Sequence, residues 1–318
     1  RSEVRGQRTG GATRPTDAQI GLFLTSLRAK GETFAEVAGA AEALRRRMVR
    51  VRTQRDGLID TCGTGGDGSR TFNISTAAAI VTAAAGVPVA KHGNRSITSR
   101  TGSADVLAAL GVNVEAPPQR VESCLDELGI GFCFAPLMHP SMKAVAAVRR
   151  QLGVPTIFNL LGPLCNPAAA PFQVIGVGRP EVHRLMAESL ALLGIRRAIF
   201  VRGEDALDEV SLAGVTHVIE VRDGTLHDFR WTPEDFGLKP SDRAGMLVDS
   251  PQDSAAVIRA VLAGERGPPR DIVLLNAAAA LWTAGKMSDL RQAAAQAAEA
   301  IDSGAARELL SRWADRSH

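Results

Sequence analysis

The segment at residues 58–90 constrains the fold most tightly. A short apolar run (LIDTC, 58–62) ends in the glycine-rich turn Gly63-Thr64-Gly65-Gly66-Asp67-Gly68. A stretch of small residues follows at 75–85, and a second apolar run (VPVA) at 87–90. Strand, glycine turn, helix and strand in that order make a crossover unit, whose two strands lie parallel in one sheet. The alternation continues down the chain. Further strands are predicted at 130–134, 173–177, 198–202, 216–221 and 272–275. Helices are predicted between them at 104–110, 120–128, 142–152, 181–193, 252–263 and 288–302. Such alternation implies a largely parallel, helix-covered sheet of the α/β class.

The first quarter of the chain reads differently. Residues 1–15 have no periodicity and are expected to form a flexible lead-in. A helix is predicted at 16–27, with Thr16 as N-cap and Ile20, Phe23, Leu24 and Leu27 on one face. A second is predicted at 34–48, and no strand signal precedes Gly57. Phe23, Leu27, Phe34 and Val37 are expected to cover the domain's own core. No internal repeat is visible.

Composition narrows the class of function. Of 318 residues, 45% are apolar and 22% charged, which excludes a disordered or fibrous chain. The longest apolar stretch, 77–90, is interrupted by Thr82, Gly86 and Pro88, so no membrane span is expected. The Arg- and Gly-rich N-terminus lacks the apolar core of a secretory signal. Cys62, Cys124, Cys133 and Cys165 form no CxxC pair and no metal spacing, so free thiols and a cytoplasmic location are expected. Net charge is +3, but residues 1–55 carry 12 basic and 5 acidic side chains, a local surplus of +7. A basic front end suits an anionic partner. Arg outnumbers Lys 32 to 5, so coding bias accounts for the asymmetry equally well.

Three constellations carry chemistry. The loop at 63–68 turns several backbone N–H groups into one concavity, and the helix start at Asn73-Ile74-Ser75-Thr76 adds unpaired amides and a partial positive charge. Together they suit phosphate oxygens, although a tight strand-to-helix turn with a plain N-cap fits the same residues. Lys91-His92-Gly93-Asn94-Arg95-Ser96 follows the next strand, at the sheet edge where open α/β folds bind ligands. Asp208-Glu209, after the strand at 198–202, pairs two carboxylates with no His or Cys beside them. That chemistry suits a hard cation such as Mg²⁺, which leaves part of its shell to substrate phosphates and water.

Four motifs in order carry a resemblance: GTGGDGxxTFNIST (63–76), KHGNRxxxSxxGSADVLxALG (91–111), HPxMxxVxxVRRxLGxxTxFNLLGPLxNP (139–167) and LDE (207–209). With DIVLLNAAAALWTAGK and the AIDSGAA helix, the chain resembles the anthranilate phosphoribosyltransferase family from about Gly11 to about Trp313. The resemblance implies α/β architecture with a small helical domain plus a large α/β domain around a central, mostly parallel sheet. The helical domain would comprise residues 1–56 joined by about 139–167, and the α/β domain 57–138 and 168–318. It implies a glycosyltransferase of tryptophan biosynthesis that moves the phosphoribosyl group of phosphoribosyl pyrophosphate (PRPP) to the amine of anthranilate, releasing pyrophosphate. Gly63, Thr64, Gly65, Gly66, Asp67, Asn73, Ser75, Thr76 and Lys91 would hold PRPP. Ser75, Asp208 and Glu209 would hold Mg²⁺, two ions per site, with Lys91 and the two carboxylates as the catalytic groups. Asn94 and Arg149 would meet anthranilate, with Gly162 and Pro163 lining its path. Small-molecule substrates are expected, no membrane and no nucleic acid, and a homodimer, weak because the N-terminal helices leave little apolar surface.

The chain departs from the family pattern in places. Arg70 stands where a small residue is common, and Arg202 and Ala206 replace a His and a Gly. The N-terminal helical region reads as shorter by one or two helices. Cys62, beside the phosphate loop, is expected to be open to alkylation, and His139 is read either near the aromatic acceptor or as a backbone-satisfied loop residue. A pyrimidine-nucleoside phosphorylase of the same fold and a nucleic-acid-binding relative without transferase activity remain the rival readings.

Overall fold

The computed structural model of the chain describes residues 15–65, 67–95 and 101–318. Gly66, Ser96 and the proposed lead-in up to residue 14 lie outside the described residues. The chain opens with α1 (Asp17–Lys30) and α2 (Phe34–Arg45). Then come β1 (Ile59–Gly63), α3 (Ile74–Ala84), β2 (Val89–Gly93), α4 (Ser103–Ala109), α5 (Pro118–Leu128) and β3 (Ile130–Phe134). Three short helices, α6 (Ala135–Met138), α7 (Ala146–Leu152) and α8 (Phe158–Leu161), precede β4 (Phe172–Gly176), α9 (His183–Leu192) and β5 (Arg197–Gly203). A hairpin of β6 (Thr216–Arg222) and β7 (Thr225–Trp231) follows, then α10 (Pro251–Leu262), α11 (Pro268–Thr283), α12 (Leu290–Asp302) and α13 (Ala305–Arg316).

The helix starts follow their sequence signals. Thr16 and Thr33 each close a capping box, with Gln19 and Glu36 reaching back to the cap amide. The seven strands form one sheet in the order β3-β2-β1-β4-β5-β6-β7. Pairs from β3 to β5 are parallel and the last two antiparallel. Side chains alternate between faces: in β5, Ile199 and Val201 join the core under α3, α11 and α13, whereas Ala198 and Phe200 join the one under α2, α8 and α9. On the first face, fully buried Ala77 and Ala79 of α3 and Ala277–Ala280 of α11 let two helices pack closely. On the second, α1 packs against α7, and α2 against α8 and α9. Among the described residues no helix is long and apolar enough to cross a membrane.

Four sequence expectations change. Residues 272–275 (IVLL), expected as a strand, lie inside α11. A four-residue apolar run fits a buried helix as well as a strand, and the alanines after it are strong helix formers. The expected helix at 142–152 is two pieces, a 3-10 turn at Pro140–Ala144 and then α7. Strand β7 was not anticipated, because only a polar, exposed alternation marks it; yet Asp223 and Gly224, both at positive φ, form the turn that precedes it. Finally, Phe23 is 64% exposed and Phe34 43%, so neither covers the core, while Leu24, Leu27 and Val37 are buried.

Because β1, β2, β4 and β5 run parallel, the loops after them gather at one edge of the sheet. Linkers tie the helical layer to this frame: Val51 N–H donates to Pro167 O at 3.1 Å and Val49 N–H to Met138 O at 2.8 Å. Arg45 Nε donates to Leu164 O at 2.7 Å.

Candidate active site

The glycine-rich loop after β1 is seated on the end of β4. Thr64 N–H donates to Gly176 O at 2.9 Å, and Gly178 N–H donates to Thr64 Oγ1 at 3.2 Å. Both partner glycines are sterically required. A Cβ on Gly176 would lie 1.6 Å from Asp208 O, and one on Gly178 3.0 Å from Asp67 N and Gly65 O. Gly63 faces the acidic pair, where a Cβ would meet Asp208 Oδ2 at 3.1 Å. Gly65 and Gly68 adopt φ near +65°, open to glycine without strain. Arg70, also at positive φ, pairs with Asp249, and residues 70–72 bond in antiparallel fashion to 246–248.

At the start of α3, Asn73 is the N-cap. Its Oδ1 accepts from Thr76 N–H at 3.0 Å, while its Nδ2 donates to Thr101 O at 2.6 Å. Thr76 is fully buried. Ser75 N–H donates to Glu209 Oε1 at 3.1 Å, and Lys91 Nζ donates to Ser75 Oγ at 3.3 Å and to Thr61 O. Thus Ser75, Lys91 and Glu209 meet at one point, with Asp208 and Asp67 beside them: Asp208 N–H lies 3.5 Å from Asp67 Oδ2.

The electrostatics of this cluster are unbalanced. Burial holds Lys91 below its usual pKa, partly offset by the negative charge of Asp60. Burial, with Asp67 and Glu209 as like-charged neighbours, pushes the Asp208 carboxyl far above its usual range. Glu209 is pushed up by burial to about 7 despite Lys91. Three carboxylates facing one another with a single ammonium are short of positive charge. Among the described residues no group of three or more His, Cys, Asp or Glu has metal-holding geometry. An ion here would therefore draw part of its shell from hydroxyl, substrate and water. Cys62 does not fit its expected reactivity: burial and Asp60 push its thiol well up, so the nucleophilic thiolate is scarce.

The residues assigned to the second substrate are more dispersed. Asn94 is exposed, its Oδ1 accepting from Arg95 N–H at 2.8 Å. Arg149, on α7, stacks over the Phe158 ring at 5.4 Å. Its guanidinium is partly desolvated and has no ion-pair partner among the described residues. Phe158 opens α8, which runs into Gly162 and Pro163, and this turn is docked on the sheet from two sides. Gln173 Nε2 donates to Pro163 O at 2.9 Å, and His92 Nδ1 donates to Gly162 O at 3.0 Å. A carbonyl only accepts, so neutral His92 carries its proton on Nδ1, and His139 Nε2 donates across 3.1 Å to His92 Nε2. His139 is therefore buried against a second histidine. Asp60, Asn166 and Gln173 were missed in the sequence. Asn166 Nδ2 bonds Asp60 Oδ2 and Ala90 O, both at 2.8 Å, and Asp60 Oδ1 accepts from His92 N–H at 3.0 Å. Asp105, in the first turn of α4, pairs with Arg95 at 3.1 Å.

The histidine pair predicts an acid-sensitive fold. Burial lowers His92 to about 3 and His139 to about 4, against 6.5 in the unfolded chain. Above pH 6.5 both states hold the rings neutral. As pH falls from there toward 4, only the unfolded chain takes up protons, and stability is lost at up to about 2 kcal/mol per ring between pH 7 and 5. Urea unfolding at the two pH values checks this. His92→Asn with His139→Asn should flatten the dependence, and equal slopes for both proteins would rule the pair out as its source.

Comparison with known proteins agrees with this frame. Residues 55–307 match the α/β domain of a glycosyl transferase family, and residues 12–48 match its helical bundle domain. The anthranilate phosphoribosyltransferase of Anaeromyxobacter sp. (strain K) is 57% identical over 301 residues, covering 95% of this chain and 88% of the relative. The crystal structure of the Thermus thermophilus anthranilate phosphoribosyltransferase superposes with a TM-score of 0.89 at 46% identity, covering 95% of this chain and 91% of that one. The Saccharomyces cerevisiae enzyme, solved in complex with PRPP and Mg, gives 0.87 at 29% identity, covering 96% and 88%. In complex with 4-fluoroanthranilate it gives 0.85 at 28%, with the same coverage. With two domains in the same order and more than half its residues shared with a relative of nearly equal length, the chain belongs to the anthranilate phosphoribosyltransferase family.

Proposed function

We propose that the chain transfers the phosphoribosyl group of PRPP to the amine of anthranilate, releasing pyrophosphate, and depends on Mg²⁺ with two ions per site. The observation that carries this reading is the meeting of Glu209, Ser75 and Lys91 at the start of α3, beside the glycine loop and Asp208. The residues fit a hard cation: buried carboxylates with raised pKa outnumber the one ammonium beside them, Lys91, and the Ser75 hydroxyl lies among them. Ser75, Asp208 and Glu209 would hold it, and when bound it would neutralise charge on the leaving pyrophosphate. The amides of Gly63–Asp67 and the α3 start, at Asn73, Ser75 and Thr76, would hold the phosphates, with Lys91 as a fixed cation. Asn94 and Arg149 would orient anthranilate, the Arg149 guanidinium taking its carboxylate in a bidentate pair. The aromatic amine is largely unprotonated at neutral pH, so no general base is required and positioning dominates. Residues 1–56 with 139–167 would form one helical unit facing the α/β unit across this site, which would work in the cytoplasm. Anthranilate fluorescence followed with PRPP and Mg²⁺, each omitted in turn, tests the reading; consumption without PRPP or without a divalent ion overturns it.

Arg149→Ala should weaken anthranilate by a few kcal/mol while leaving PRPP within about threefold. Calorimetric titration of each ligand checks this, and a loss confined to PRPP would assign Arg149 to the other substrate.

A second copy of the chain is the expected partner. Leu22, Phe23 and Phe34 are exposed on α1 and α2, which removes the premise that these helices leave little apolar surface for a dimer. A stable homodimer buries roughly 2,000 Å² or more around such a core. Sedimentation velocity over a hundredfold concentration range should show a dimer that Phe23→Glu dissociates. A monomer throughout would remove the dimer.

A further inference from the structure

We infer that Asn276 is a positioning residue for the Asp208–Glu209 pair, acting through the backbone of Val210. Asn276 sits in the middle of α11 with 3% of its surface exposed, followed by four fully buried alanines. An amide in such a setting is costly unless all its polar atoms are paired. They are. Oδ1 accepts from Val210 N–H at 2.9 Å, and Nδ2 donates to Val210 O at 3.0 Å and to Ile272 O at 2.9 Å. The side chain thus pairs with residue 210 as the backbone of a neighbouring strand would, one donor and one acceptor in a plane. This fixes the peptide between Glu209 and Val210, from which the Glu209 carboxylate reaches Ser75 N–H.

The helix that carries Asn276 packs against α3, whose first turn holds Ser75. Asn276, Glu209 and Ser75 border the same narrow crevice. One helix pair therefore sets both the phosphate-facing amides and the acidic pair, and Asn276 is the side chain that joins them. The surrounding side chains of α11 are apolar, so packing alone explains a leucine at 276 better than an asparagine. What the asparagine adds is register for the loop.

The inference rests on the proposed metal role of Asp208 and Glu209, and the test separates the two. Mn²⁺ is titrated into the full chain saturated with PRPP, without anthranilate, and protein-bound ion is read by water-proton relaxation. Asn276→Leu, close in volume, should weaken Mn²⁺ by about 10–100-fold, the usual effect of losing a group that orients a metal ligand. Asn276→Ser, smaller and polar, provides a second variant with the same expected direction should the first unfold. Thr283→Val, which removes a buried hydroxyl bonded within the same helix, should leave Mn²⁺ affinity unchanged. In a Glu209→Gln background Asn276→Leu should add nothing. If Glu209→Gln weakens the ion while both Asn276 variants, shown folded by circular dichroism, stay within twofold of the parent, the positioning role falls and the metal reading stands. If Thr283→Val weakens the ion equally, the effect belongs to general packing and the inference also falls. If Glu209→Gln has no effect, the metal reading falls and this inference with it.

Discussion

Asp208→Asn combined with Glu209→Gln should lower turnover by about 10³-fold or more and leave a protein at least as stable as the parent. The two halves of this expectation come from the same electrostatics. Both carboxyls are buried and held above their ordinary pKa, so at neutral pH their ionised forms oppose folding. Amides of the same shape relieve that opposition. Such a crowding of like charges costs stability, and strained clusters of this kind gather at functional sites. Removing the charge would remove what holds a cation there, and with it the positive charge that would neutralise a departing pyrophosphate. Steady-state rates across a Mg²⁺ series, with calorimetric melting of the same samples, check both signs. An unchanged rate with unchanged metal dependence would remove the acidic pair from the reaction. A drop in melting temperature would show instead that the carboxylates support the fold.

Much of this site was legible because its chemistry is local in sequence. Gly63–Asp67 continue from the end of β1, Asn73–Thr76 open the helix that follows, and Asp208–Glu209 are adjacent; Lys91, read as the first residue of a loop, lies inside β2, close to its end. The parallel sheet then brings the three loops to one edge, which alternation alone predicts. What was not legible depends on partners far along the chain. Gly176 reads as an ordinary strand residue until Asp208 O is found over it. His92 was visible but read as a loop residue, whereas it lies inside β2, and its tautomer is set by Gly162 O, 70 residues away. Asn276 lay in a segment taken partly for a strand, and only the helix places its amide on Val210. Ala206 gives the opposite case. A departure noted in sequence proves to sit at φ 69°, a conformation glycine holds without strain. The exposure of Phe23 and Phe34 was misread because a helical stripe shows which residues share a face, not whether that face meets the core or another molecule.

Gly176→Ala should be the most damaging alanine substitution among the described glycines, costing about 3 kcal/mol or more and disabling catalysis. The added Cβ would stand 1.6 Å from Asp208 O and 2.7 Å from Asp208 C, both backbone atoms that no rotamer change can move aside. One of two segments must shift by an ångström or more. Strand β4 is bonded on both sides, Gly176 opposite Gly63 of β1 and Val201 of β5, and its carbonyl also receives Thr64 N–H. The loop is held by the Gly203 N–H to Leu207 O bond and by Asn276 on Val210. Displacing the loop separates Asp208 and Glu209 from Ser75; displacing the strand end moves the glycine-rich loop. Either route disables the site, and neither avoids strain. Gly178→Ala, with its nearest atoms at 3.0 Å, should cost less, and Gly39→Ala, in open space on α2, should stabilise by about 0.5–1 kcal/mol. Urea unfolding of the three variants ranks them, with kcat/KM for PRPP measured alongside. A Gly176→Ala protein with parental stability and parental kcat/KM would mean that the Asp208 carbonyl does not rest on the end of β4.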